Sequence, residues 1–262
     1  MAKISLAIGL RTLFTVLGLL MLATLLYTLF TDGSPFRKEL LTPWMVATLI
    51  DFYINVVALA IWVVYKESNW ISSILWIVLL VCLGSIITSA YIVVQFLKLS
   101  SQESSQDPMY YVLLRHPNKN GTAPHTEHSS VMTLRILFSI LGVVMLGTLV
   151  YTLVTDGSPF RLELLTPWLT ATLVDFYINV VALAVWVAYK ESSWISAVFW
   201  IILLICFGSI TTCFYIAWQL FQICGQDPAY RKKNIRGFLV RQHSNDVHEP
   251  KACKRLMCLP RL

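Results

Sequence analysis

Long runs of apolar residues, separated by short polar segments, dominate the chain. Six such runs cover approximately 4–30, 45–65, 70–97, 136–154, 169–189 and 194–224. Each run contains enough residues to cross a hydrocarbon core of about 30 Å at about 1.5 Å per helical residue. The pattern therefore predicts an all-α integral membrane protein, a bundle of six helices that cross the bilayer.

The second half of the chain repeats the first half at an offset of 124 residues. The segment TDGSPFR begins at Thr31, the segment DFYINVVALA begins at Asp51, and both recur in the second half. Between 11–97 and 135–221 no gap is needed, and 59 of the 87 aligned positions are identical. Such self-similarity indicates an internal duplication, so we predict two repeats of three helices each.

Polarity divides the chain into four parts. These are a first repeat over 1–97, a polar linker over 98–130, a second repeat over 131–224 and a basic tail over 225–262. The linker is rich in Ser, Gln, His and Asn, which predicts an exposed connection. The tail carries nine Lys and Arg residues, so we expect it to contact anionic lipid headgroups at the cytoplasmic face. Nucleic acid is not an expected partner, because no nucleic-acid-binding fold accompanies this charge.

The number of spans in each repeat determines the predicted topology. Three spans per repeat turn the second copy upside down if the linker does not cross the membrane, an inverted-topology arrangement shared by many secondary transporters. Thirteen Lys and Arg residues then lie on the side of the termini and seven on the other side, which predicts cytoplasmic termini. The linker would face outside or the lumen, where the sequon at Asn120 could be glycosylated.

Cys224, where the last run ends, is a candidate for palmitoylation. The sequence does not distinguish an endomembrane from the plasma membrane.

The composition and the absence of certain motifs exclude several classes of function. The chain is 57% hydrophobic and 13% charged, whereas a soluble domain carries about a quarter charged residues. All five histidines lie in the linker or the tail, so an intramembrane histidine metal site is excluded. The sequence holds no nucleophile elbow, phosphate-binding loop or dinucleotide motif. We therefore expect neither enzymatic activity nor a metal or other cofactor.

Two aspartates and two asparagines lie inside the predicted membrane segments. They are Asp51, Asn55, Asp175 and Asn179. Asp51 lies seven residues after Trp44, roughly 10 Å below the headgroup level by helical rise. A carboxylate at that depth costs several kcal/mol unless it is paired, neutral or hydrated. These four residues are therefore candidates for a polar site where the two repeats meet. The alternative is that polar side chains along one face of each helix only hold the helices together.

The arginines near the start of each repeat are candidates for ion pairs. Arg11 and Arg135 can simply extend to the interface. In the inverted arrangement, however, Arg135 begins at the same face as Asp51, and Arg11 at the same face as Asp175. We therefore predict ion pairs between the repeats within these two couples. Glu67 and its counterpart in the second repeat are expected to be solvated loop charges.

The repeated motifs TDGSPFR-x-E-LLTPW, DFYIN and YKES-x-W, with CLGSI and CFGSI, support a resemblance. They are similar to a plant family of small multispan membrane proteins of unknown function. The resemblance covers 11–97 and 135–221, and it implies a plant origin and a membrane location but no site residues.

Two hypotheses for the function follow from the polar residues. The first is a carrier or channel for a small solute or ion, lined by the four intramembrane Asp and Asn residues. The alternative is a non-transporting membrane scaffold or assembly factor whose tail binds partners. A hydrated cavity that reaches the aspartates would favour the carrier, and a dry, fully paired interior would favour the scaffold.

Overall fold

The structure, a computed structural model, describes residues 2–114 and 128–225 of the chain. All regular elements in these two ranges are helices. They are α1 (Ala2–Asp32), α2 (Pro43–Lys66), α3 (Trp70–Leu83), α4 (Ser85–Leu97), α5 (Ser101–Gln106), α6 (Pro108–Leu113), α7 (His128–Asp156), α8 (Pro167–Lys190), α9 (Trp194–Phe207) and α10 (Ser209–Gly225). Two short 3-10 turns, Lys38–Leu40 and Leu162–Leu164, precede α2 and α8. The predicted all-α class is confirmed for the described residues.

Four of the helices are long and apolar enough to cross a membrane. They are α2, α8 and most of α1 and α7, with mean hydropathies from 1.8 to 2.3. Their outward faces expose large aliphatic side chains, among them Leu19 and Val143. Continuous apolar surface of this kind marks a membrane-facing protein rather than a soluble one.

The long helices α2 and α8 both begin at a Thr-Pro pair that recurs in the two repeats. The hydroxyl of Thr42 accepts a hydrogen bond from the backbone N–H of Met45, at 3.2 Å, and Pro43 occupies the first helical position. Thr166 caps α8 in the same way. A threonine cap followed by proline satisfies one unpaired N–H and fixes the first backbone dihedral angle.

The third apolar run of each repeat is not one helix but a pair. Gly84 has a φ of +56° and separates α3 from α4. Trp76 and Tyr91 lie about equally far from this break on either side, and their ring centroids are 5.0 Å apart. The two helices therefore form an antiparallel hairpin, as α9 and α10 do around Gly208 (φ +53°). The prediction of six helices that each cross the bilayer is wrong, because two of the six runs fold back on themselves.

The helices α2 and α8 run parallel to each other. Near their starts, Met45 packs in one cluster with Trp168 and Leu169. Further along, Trp62 of α2 and Trp186 of α8 line one cavity, so the second halves of the two helices face the same space. The inverted-topology prediction is therefore wrong. The hairpin returns the chain to the side where α2 ends, so the second repeat begins on the same side as the first.

The first part of the linker is packed rather than exposed. The side chains of Met109, Val112 and Leu113 in α6 are buried. Lys66 donates from Nζ to the backbone oxygen of Tyr111 at 2.6 Å and to that of Leu114. The hydroxyl of Tyr189, at the end of α8, donates to Asp107 at 2.9 Å. The α5–α6 segment thus contacts both repeats, contrary to the expected exposed linker, while 115–127 lie outside the described residues.

Candidate functional site

The two hairpin tips are each capped by an aspartate from the other repeat. The Asp175 carboxylate accepts hydrogen bonds from the backbone N–H of Ser85, at 2.7 Å, and from the Ser85 hydroxyl. The Asp51 carboxylate accepts from the backbone N–H of Ser209, also at 2.7 Å. The first turn of a helix leaves N–H groups unpaired and carries partial positive charge, so a carboxylate is favourable there. Each repeat therefore supplies the cap that the other repeat needs.

Glycine at each tip allows the carboxylate to approach the backbone. A Cβ atom on Gly84 would lie 2.9 Å from Cγ of Asp175 and would overlap its Oδ2. A Cβ atom on Gly208 would overlap the carboxylate of Asp51. Since both glycines also have φ values that other residues rarely adopt, no larger residue fits either position without a rearrangement.

One helical turn beyond each aspartate lies a fully buried asparagine. Asn55 and Asn179 are both 0% exposed, and neither Oδ1 nor Nδ2 of either residue has a hydrogen-bond partner among the described residues. Leaving a buried amide without partners costs about 1–3 kcal/mol for each group. The structure thus places two unsatisfied polar side chains in its interior.

Further unsatisfied polar groups lie at a similar depth. The helices α4 and α8 run in the same direction from the contact between Ser85 and Asp175. One turn further along both helices, Thr88 is therefore level with Asn179. The hydroxyls of Thr88 and Ser89 are buried and have no partner in the described part of the chain. The interior next to the hairpin tips is polar and incompletely paired.

The predicted ion pairs between the repeats are not formed. Arg135 donates from Nε, at 3.2 Å, and from Nη2 to the backbone oxygen of Leu220, and Arg11 is exposed. In residues 2–114 and 128–225 neither arginine forms an ion pair with Asp51 or Asp175. The prediction fails because the repeats are parallel. Arg135 lies at the face where α2 ends, whereas Asp51 lies in the half of α2 next to the opposite face.

A half-buried carboxylate network at the base of each hairpin was not predicted from the sequence. Oε1 of Glu67 accepts hydrogen bonds from the Tyr91 hydroxyl at 2.9 Å and from Gln95 at 3.2 Å, and Oε2 accepts from Ser72 at 3.1 Å. Glu191 makes the same set of bonds in the second repeat. These glutamates are therefore not solvated loop charges, because they join the two legs of each hairpin. Tyr91 and Gln95 lie on the same face of the chain's helical pattern as Gly84. Their contact with Glu67 could not be inferred from that pattern, because it forms only when the run folds into a hairpin.

A cavity of about 540 Å³ lies between the second halves of α2 and α8. Its wall is made almost entirely of apolar side chains, such as Val57, Ala58, Phe138 and Ala182. The aspartates and asparagines described above do not belong to its wall. The interior between the repeats therefore has two zones, a polar zone at the hairpin tips and an apolar zone beyond it.

Three further sequence predictions concern residues that the structure does not describe. Asn120, the candidate glycosylation site, and the basic tail both lie outside the described residues. Cys224 lies near the end of α10, but its side chain lies outside the described part of the chain. These three predictions stay predictions.

Four long apolar helices, with polar groups enclosed between them, define the class of multi-pass membrane proteins. Within that class, the chain belongs to a family described as "Protein of unknown function (DUF1475)", whose model matches residues 1–236. No curated protein and no solved structure matches the chain.

Proposed function

We propose that the protein is a carrier or channel that conducts a small cation, the proton included, across a membrane. The observation that carries this proposal is the pair of fully buried, unpartnered asparagines, Asn55 and Asn179, one turn from the capping aspartates. Unsatisfied amides are costly inside a membrane protein, and water or a transported solute would satisfy them.

The proposed topology has four crossing helices and two hairpins that enter and leave on one side. In this arrangement seventeen of the twenty Lys and Arg residues lie on the side of the termini. Arg37, Lys38 and Arg161 lie on the other side. The positive-inside rule then makes the side of the termini cytoplasmic, with a far larger bias than in the inverted arrangement. The linker is also cytoplasmic in this topology, so Asn120 would not be glycosylated.

The breaks in the two hairpins support a conducting function, because unpaired backbone groups inside a membrane cost free energy unless protein or water satisfies them. Non-helical backbone at membrane depth is tolerated only where it is buried in protein or lines a water-filled space. In many carriers, such discontinuous helices meet near the bilayer midplane, at the junction of two repeats, and form the solute site. The hairpin tips at Gly84 and Gly208 lie at such a junction, since each contacts the other repeat.

The charges at the tips favour a cation over an anion. Asp51 and Asp175 have no cationic partner in the described part of the chain. The N-terminal ends of α4 and α10 offset part of each negative charge, so a monovalent cation or a proton complements what remains. Protonation of a carboxylate would weaken its charge-assisted bond to the hairpin tip. Proton entry would thus be coupled to release of the hairpin.

A non-transporting scaffold is the second candidate function. The apolar wall of the cavity favours it, because the aspartates do not line that space. The two candidates differ in what the buried asparagines do, and a variant of those residues separates them.

Replacing Asn55 and Asn179 together by leucine is expected to abolish most of the cation flux without unfolding the protein. Leucine has the same branched arrangement of four side-chain heavy atoms and removes the unsatisfied amides, so we expect the melting temperature to stay equal or to rise. The measurement is proton, Na⁺ and K⁺ flux in liposomes that contain the purified full chain, together with thermal unfolding in detergent.

The matched control is Asn69→Leu, at an exposed helix cap outside the bundle interior. This variant is expected to keep its flux. If the double variant is more stable and conducts at the wild-type rate, the asparagines serve packing alone and the scaffold is favoured. Wild-type protein that moves none of the three cations would also overturn the proposal.

A further inference from the structure

The apolar cavity has the form of a lipid site. It is lined by helices of both repeats, and α6 contributes Met109 and Val112 to its wall. Its volume of about 540 Å³ falls within the roughly 300–1,000 Å³ that small-molecule sites occupy. We propose that one acyl chain of an anionic phospholipid from the cytoplasmic leaflet occupies this cavity, with its headgroup at Arg135. The proposal is independent of cation conduction.

The depth and position of the cavity suit an acyl chain. Eight of the nine residues of α2 from Val57 to Tyr65 line the wall, and this stretch spans about 12 Å of helix. This half of α2 ends at the side of the termini, where the proposed topology has the cytoplasmic leaflet. Val64 belongs to the wall and is 53% exposed, so the cavity borders the lipid-facing surface there. Acyl chains are the apolar molecules that surround this surface in a bilayer.

One cation lies at the edge of the cavity. Arg135 follows Leu134 of the wall, and its guanidinium donates to the backbone oxygen of Leu220, which is also a wall residue. The Arg135 side chain is largely buried, its guanidinium lies over the Phe221 ring with 4.8 Å between Cζ and the ring centroid, and the hydrogen bonds that it donates to Leu220 come from Nε and Nη2. Lys66, near the same end, is already bound to two backbone oxygens of the α6 segment. Guanidinium binds phosphate oxygens with well-defined geometry, which selects an anionic headgroup at Arg135.

The test is photo-crosslinking in liposomes that contain the purified full chain. The probe is phosphatidylglycerol with a diazirine on one acyl chain, in a background of phosphatidylcholine, and labelled peptides are mapped by mass spectrometry. We expect labels on cavity peptides of both repeats, around Ala58 and Ala182, besides labels on the lipid-facing surface of α1. Labels confined to outward-facing residues would overturn the proposal.

Two variants separate the cavity from the outer surface. Ala58→Phe with Ala182→Phe, at equivalent wall positions, fills the space, and we expect it to lose most cavity labelling while α1 keeps its labels. The matched control, Val16→Phe on the exposed face of α1, should leave cavity labelling unchanged. Because the filled variant must fold to be informative, wild-type protein provides a second readout. Labelling by the same probe on phosphatidylcholine should be weaker, and Arg135→Gln should remove this headgroup preference. Equal labelling by both lipids in wild-type protein would contradict a site selective for anionic headgroups.

Discussion

Replacing Gly84 by alanine is expected to lower the free energy of unfolding by about 3 kcal/mol, among the largest effects of a single methyl group. The backbone at Gly84 has a φ of +56° and a ψ of −132°, a conformation used almost only by glycine, which costs a residue with a Cβ about 1–3 kcal/mol. The new Cβ would also overlap the carboxylate of Asp175. That carboxylate would have to leave the backbone N–H of Ser85, which costs about 1–2 kcal/mol more for a lost helix cap. Chemical unfolding in detergent micelles measures the change.

The control for this experiment is Gly33→Ala. Gly33 has a φ of +74°, but no atom lies within 4 Å of the position of its Cβ. Its replacement therefore carries the backbone strain alone, about 1–2 kcal/mol. We expect Gly208→Ala to match Gly84→Ala, because its Cβ would overlap Asp51 and Phe176. Equal losses at Gly33 and Gly84 would show that the aspartate does not cap the hairpin tip.

Replacing Asp51 and Asp175 together by asparagine is expected to abolish most of the cation flux while the protein stays folded. Asparagine keeps an oxygen that accepts the N–H of Ser85 or Ser209, but it removes the negative charge that the proposed cation requires. Alanine at the same positions removes the cap as well, so we expect it also to lose about 1–2 kcal/mol of stability at each site. Flux in liposomes and thermal unfolding of the same preparations distinguish the two effects.

Asp32→Asn is the matched control for charge removal. Asp32 forms an ion pair with Arg37 at 2.6 Å, and both side chains are partly exposed. Exposed pairs of this kind contribute about 0–1 kcal/mol, so we expect neither flux nor stability to change much. Normal flux in the folded double asparagine variant would show that the two aspartates are not needed for conduction.

Local features of the fold could be predicted from the sequence. The starts of α2 and α8 follow from a threonine and a proline in adjacent positions, and this signal acts within one turn. The apolar length of α1, α2, α7 and α8 likewise identifies them as helices able to cross a membrane. Both features can be read from the sequence because they depend on residues that are close in the chain.

The hairpins could not be predicted from hydropathy. The run 70–97 is long enough to cross a bilayer once, and it is equally long enough for two helices of 14 and 13 residues. The signal available was a glycine followed by serine in the middle of the run, at Gly84 and again at Gly208. Glycine is also common at straight helix contacts within membranes, so this signal alone does not predict a break.

The break in each repeat changes the predicted topology, the predicted ion pairs and the predicted position of the linker. With a hairpin instead of a third crossing, the second repeat keeps the orientation of the first. The arginines then lie far from the aspartates, and the linker comes to the side of the termini. The interior position of Asp51 was predictable, because a carboxylate that faces lipid costs several kcal/mol. Its partner, Ser209, is 158 residues away and follows only from the fold.

The relative orientation of the two repeats is measured most directly by cysteine accessibility. Ser34 and Ser158 occupy equivalent, exposed positions in the two repeats, and Lys98 lies at the exposed end of α4. Each is replaced by cysteine in the full chain and labelled in sealed vesicles with a membrane-impermeant maleimide, with the wild-type signal subtracted. Ser34→Cys and Ser158→Cys should react from the same side of the membrane, and Lys98→Cys from the other. Reaction of Ser34→Cys and Ser158→Cys from opposite sides would contradict the parallel repeats and the hairpins that require them.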